Sequence, residues 1–272
     1  MPARETPFVD WKPQRTLLQP YIDGQGGLIR VEVDGDGPDK HFADALGYRL
    51  RQAGTIVVNM SADNESTRYI DDLVGQLERS FSMGLPEVAG AVAVSIANNA
   101  TIGGNASFDQ IAINADDSLN HVRLERLRRE RCAKIIGFVR ERRVRACVFL
   151  FRTHAFPPRT LSHLSSYLWD AGLRELTACG FLLVEFHRRG HPWTQPGWPL
   201  KEDRLLRLRC EYSEADRESA SEDLAVLMKA WGHNVSGEVA LERAKGILGV
   251  TDGPVELYSR HIPRLAVGRV EA

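Results

Sequence analysis

The sequence predicts an α/β protein, a parallel sheet flanked by helices and followed by a small C-terminal helical domain. Three observations carry this. Short apolar runs alternate with amphipathic helical stretches from Leu28 to Phe81, the alternation returns between Ala146 and Phe186, and helical periodicity takes over after Ser213. Strand, helix, strand, helix order implies parallel strands.

Residues 1–27 carry Pro2, Pro7, Pro13 and Pro20 and end in Gly24, Gly26 and Gly27, so they read as an N-terminal arm with one helical turn. Leu28 to Val33 is the first strand, leading into the turn-rich stretch Asp34 to Asp39. Lys40 to Gln52 places Phe42, Leu46 and Leu50 on one helical face and stops before Gly54. Thr55 to Met60 suits a strand covered on both faces, and Glu65 to Phe81 repeats Tyr69, Leu73, Leu77 and Phe81 every four residues as a second helix. Residues 85–115 turn to Gly, Ala, Asn and Val without period and read as an insertion. A long basic helix from Leu119 to about Arg143 leads into the strand Ala146 to Phe151. A helix opening at Pro157 and Pro158 buries Leu161, Leu164, Leu168 and Leu173. Strands Gly180 to Phe186 and Leu205 to Tyr212 bring the sheet to five. The α/β core is thus 28–212 and the helical domain 213–272, with helices around Leu224 to Met228, Val239 to Leu248 and Val255 to Leu265.

A chain of 272 residues, 43% of them hydrophobic, can bury one large core or one core with a small appended domain. Its formal charge of -1 gives no global attraction to nucleic acid or anionic membrane. The four cysteines, Cys132, Cys147, Cys179 and Cys210, form no CxxC pair and read as reduced thiols. The start MPARETPFVDW has no apolar leader and no run reaches a membrane span, so the expected compartment is cytoplasmic.

The order of elements from Leu28 to Leu265, with Lys40 before the first core helix and Gly253-Pro254 in the run GVTDGPVELYSRHIPRL, resembles the P-loop NTPase fold. The resemblance is to its STAND and origin-recognition AAA+ members. It implies a phosphate loop after the first strand, a Walker B strand at Val148 to Phe151, a sensor strand and a helical lid. The phosphate loop GxxxxGK[ST] needs glycines so that backbone N–H groups converge on phosphate, a lysine to neutralise it and a hydroxyl for Mg²⁺. Aligned on Lys40, the chain has Asp34 and Asp39 in place of the two glycines, with Gly35 and Gly37 between them, and His41 in place of the hydroxyl. Asp34, Asp36 and Asp39 bring carboxylates to an anion cradle and Pro38 removes an N–H. One like-charge contact at 4 Å opposes binding by about 4 kcal/mol at an effective dielectric near 20. After Phe151, where an acidic pair would hold Mg²⁺ and activate water, stand Arg152, Thr153 and His154. The loop reads as remade into a helix cap, without a nucleotide cofactor or a metal.

Ten basic residues lie between Arg123 and Arg145 against three glutamates, a local charge of +7. Arg128, Arg129, Arg142 and Arg143 are the candidates there for nucleic acid or a protein partner, although Phe138 alone among aromatic residues falls between them, short of the interleaved rings a stacking platform would need. His187 and His191 are four apart, but Gly190 and Pro192 break the helix that would align them on a metal. Ser162, Ser165 and Ser166 lack a GxSxG turn. Trp193 and Trp198 are candidate interface anchors. The sequence reading is therefore a non-catalytic scaffold or regulatory subunit working through protein contacts in a larger assembly. Active relatives of that resemblance serve signal-triggered assemblies, including bacterial anti-phage defence. The alternatives are a nucleic-acid-binding protein using helix 123–145, or an ATPase completed in trans by a partner.

Overall fold

The computed structural model describes residues 8–35, 37–62, 69–81, 117–189, 204–233 and 236–267. The expected insertion 85–115, Asp36, His191, Trp193 and Trp198 lie outside the described residues.

Five strands, β1 (Gly27–Val33), β2 (Ile56–Ser61), β3 (Ala146–Phe151), β4 (Phe181–Arg188) and β5 (Arg204–Leu208), form one sheet in the order β2-β3-β4-β1-β5. Every neighbouring pair is parallel, with Ile29 opposite Val184 and Arg204, and Val148 opposite Val58 and Leu183. The strand bounds differ from those read in the sequence mainly at the last one, which ends at Leu208 rather than Tyr212.

Alternation along the strands sends side chains to two separate cores. On one face Ile29, Val31, Cys147, Phe149, Val184 and Phe186 pack beneath α2 (Pro38–Gln52), with Phe42, Leu46 and Leu50 buried from it. On the other, Leu28, Met60, Val148, Leu150 and Leu183 meet α3 (Ile70–Ser80), α4 (Asp117–Arg142) and α5 (Pro158–His163). The stripe Leu161, Leu164 and Leu168 is buried as expected, but the helix does not stay α-helical. From Leu164 to Leu173 it widens to a π-helix, and Gly172 packs so closely on Ile136 that a β-carbon there would lie 2.6 Å from a methyl of that side chain. On this second face Arg30 reaches within 3.6 Å of the fully buried Glu185, its register partner on β4.

The N-terminal region corrects the one-turn expectation. α1 (Lys12–Ile22) runs three turns with Pro13 in its first turn and Pro20 inside it, and Phe8, Val9, Trp11, Leu18 and Tyr21 are buried. They join the first core, to which α6 (Glu214–Ala230), α7 (Gly237–Gly249) and the last helical stretch also contribute, through Leu224, Met228, Leu248, Leu257 and Ile262. That stretch runs without a break through α8 (Pro254–Glu256), a π-helical middle (Leu257–His261) and α9 (Ile262–Val267). Ser213 caps α6 and exchanges bonds with Asp216 in a capping box. Among the described residues no helix is long and apolar enough to cross a membrane.

Candidate functional site

Parallel strands point their C-terminal ends to one edge, where open α/β sheets leave a crevice. Here a cleft opens at the ends of β1, β3 and β4 against the start of α2. Gly35, Gly37 and Asp39 line it from the loop after β1, Arg152 and His154 from the turn after β3, and His187 and Arg188 from β4. The described walls enclose about 50 Å³, against about 300–1,000 Å³ for a small-molecule site.

The loop after β1 takes a glycine-dependent path. Gly35 and Gly37 adopt φ of 85° and 112°, open to residues without a β-carbon. The space they make is taken by the chain itself. A β-carbon on Gly35 would lie 2.6 Å from the Cys210 sulfur, and one on Gly37 would lie 2.9 Å from a Val255 methyl. The Cys210 thiol donates to the Asp34 carbonyl. Asp34 does not cap α2; its backbone N–H donates to Leu208 O at 2.9 Å and its carboxylate pairs with Arg189 at 3.1 Å in solvent. The N-cap is Gly37, which offers no side chain, and Asp39 Oδ1 accepts from the Lys40 N–H at 2.9 Å. The cap expected from the carboxylates is therefore not made by a side chain among the described residues; Asp39 instead stands in the first turn, where a carboxylate favours the helix dipole.

Two residues of the motif alignment stand elsewhere. Lys40 is exposed outside the cleft. His41 stacks on Tyr258 of the last helical stretch, ring centroids 5.4 Å apart and planes at 16°, and burial lowers its pKa ahead of the opposing pull of Asp44. After β3, Arg152 sits at φ 53° and Thr153 starts a 3₁₀ turn, fully buried, its hydroxyl donating to Phe186 O at 3.3 Å. Thr153 therefore ties the turn after β3 to β4. His154 and His187 meet edge to face at 6.1 Å. Among the described residues no group of three His, Cys, Asp or Glu side chains could hold a metal ion.

The basic helix is less open than its charge suggests. Arg128 is held by Asp71 at 2.6 Å and Glu125 at 3.0 Å, and Arg131 grips the buried Glu78 through two bonds of 3.0 and 2.6 Å. Arg129 lies over the Tyr167 ring, 5.0 Å from its centroid. Of the four candidates, Arg129 is exposed along the helix and Arg142 and Arg143 are exposed at its end, where Arg143 takes φ 48°. Sequence reading missed Trp11 and Tyr258, which close the first core beside His41, because each gains its role from a partner remote in the chain.

No family model matches the chain, and no curated protein does. Among solved structures it is similar to the crystal structure of Cdc6p from Pyrobaculum aerophilum, at 14% identity and a TM-score of 0.43, over 81% of this chain and 51% of that one. It is also similar to the structure of Drosophila ORC bound to DNA, at 12% identity and a TM-score of 0.44, over 94% of this chain and 58% of that one. The chain thus spans just over half the length of each.

Proposed function

We propose that this is a non-catalytic, P-loop NTPase-like protein of STAND or AAA+ type, a scaffold or regulatory subunit that acts through protein-protein contacts in a larger assembly. The observation that carries the proposal is the filled loop: Cys210 and Val255 occupy the space that Gly35 and Gly37 open, beside a cleft of about 50 Å³. Asp39 in the first turn of α2 opposes a phosphate at the helix N-terminus, and Arg152 stands where a metal-binding acid would be needed. Capture of Arg128 and Arg131 by carboxylates of α3 supports this reading over nucleic-acid binding by α4. The resemblance read in the sequence supports a bacterial anti-phage assembly as the setting.

The test is isothermal titration with ATP and ADP, with and without Mg²⁺, followed by a hydrolysis assay. The expected result is no heat at micromolar nucleotide and no turnover. Micromolar binding or measurable hydrolysis overturns the proposal.

A further inference from the structure

The N-terminal segment enters the first core through a buried acidic turn. Asp10 and Trp11 are both left-handed, at φ 75° and 53°, a conformation uncommon for a residue as bulky as tryptophan. Asp10 is 5% exposed. Its Oδ1 accepts the Trp11 N–H at 2.6 Å, and its own N–H donates to Asp223 Oδ2 at 3.2 Å. Asp223 is also bonded by Arg15 of α1. The other groups around the carboxyl are Asp216 of α6, the Tyr212 hydroxyl ahead of α6, and Tyr258, whose hydroxyl donates to the Val9 carbonyl, while Lys12 of α1 and Glu222 of α6 flank Asp223. Trp11 stacks on Tyr258 at 5.1 Å, and Tyr258 in turn stacks on His41 of α2. One turn of chain therefore joins α2, α6 and the last helical stretch, and its carboxyl faces two others, Asp216 and Asp223, with Arg15 already engaged by Asp223.

We propose that Phe8–Ile22 is a proton-controlled strap, seated firmly on the C-terminal helices while the Asp10 carboxyl is neutral and loosened when it ionises. Burial is the main force against ionisation, and Asp216 and Asp223 add to it. The Trp11 N–H and Tyr212 oppose it, and the balance raises Asp10 from 3.8 to about 7. A released strap returns the carboxyl to water and its ordinary range. The seated form thus holds a proton that the released form has lost. Seating is strongest below the ordinary carboxylate range, weakens as pH rises toward 7 and levels off above it. Loosening removes Trp11 from Tyr258 and so weakens the hold of the last helices on α2.

Amide exchange of residues 9–22 in the full chain, corrected for the intrinsic pH dependence of exchange, reads the strap directly. Opening should increase roughly 50-fold between pH 5 and pH 7 and little beyond. Asp10→Asn keeps the acceptor for the Trp11 N–H and tolerates the left-handed backbone, so its strap should stay protected at every pH. Carboxyl-carbon NMR of the wild-type protein should show Asp10 titrating near neutrality. Wild-type protection independent of pH between 5 and 7, an unchanged pH dependence in Asp10→Asn, or an Asp10 titration in the ordinary carboxylate range each overturns the proposal.

Discussion

Gly253 lies against Cys210 so tightly that a β-carbon on it would overlap the Cys210 carbonyl oxygen and lie 2.8 Å from the carbonyl carbon. Its backbone is extended, so sterics and not conformation reserve the place for glycine. With Tyr212 N–H donating to Asp252 O at 3.0 Å, this contact sets the last helical stretch against the end of β5. Gly253→Ala should lower unfolding stability by about 1–3 kcal/mol through overpacking. Denaturant unfolding measures it, with an unchanged slope if the fold is kept.

Arg128 and the pair Arg142 and Arg143 should behave differently although the sequence groups them. Arg128→Ala removes the cation that bridges Asp71 and Glu125 in a half-buried setting, leaving Glu125 with Arg159, and should lower stability by about 1–3 kcal/mol. Arg142→Ala with Arg143→Ala should stay within about 0.5 kcal/mol of the parent. Thermal melts of the two variants side by side make the comparison.

Glu78 is 2% exposed and its two bonds to Arg131 join α3 to α4. Arg131→Ala strands that carboxylate, whereas Arg131→Met with Glu78→Leu removes both charges and keeps the bulk. The double variant should recover most of the stability that the single one loses, because a lone buried charge is worse than none. A double-mutant cycle measures the difference.

Glu125 supplies a pH prediction. Burial raises its carboxyl, but the Tyr167 hydroxyl, His163 and Arg128 together outweigh burial and hold it below the ordinary range. A depressed carboxylate stabilises the fold above its unfolded pKa, and that contribution is lost as pH falls through the folded value. Wild type should therefore melt above Glu125→Gln at neutral pH, with the gap closing in acid. Melting temperatures from pH 3 to 7 test the sign.

The sheet was legible because its strands are carried by local composition. Ala146–Phe151 is an unbroken apolar run buried on both faces, and its bounds agree with the sequence reading. The N-terminal helix was not, because proline and glycine dominate the local signal in residues 1–27. Pro13 sits in the first turn of α1, where the missing N–H costs nothing, and what holds the helix is the burial of Leu18 and Tyr21 by remote parts of the chain. At the site, motif spacing located the loop and its two glycines but misjudged orientation. Lys40 and His41 follow Pro38 into α2 and leave the cleft, and Cys210 and Val255 fill it from more than 170 positions away. No local pattern encodes that approach.

The bond from Tyr258 to the Val9 carbonyl spans 249 positions. During synthesis Phe8 and Trp11 emerge long before the helices that cover them, and closing so long a loop is an entropic obstacle that only the finished chain can overcome. Until then those rings are exposed on a nascent protein, the condition under which chaperone holding and aggregation compete. The first core thus draws together residues near positions 8 and 258, while the α3–α4 side joins partners that lie nearer in sequence.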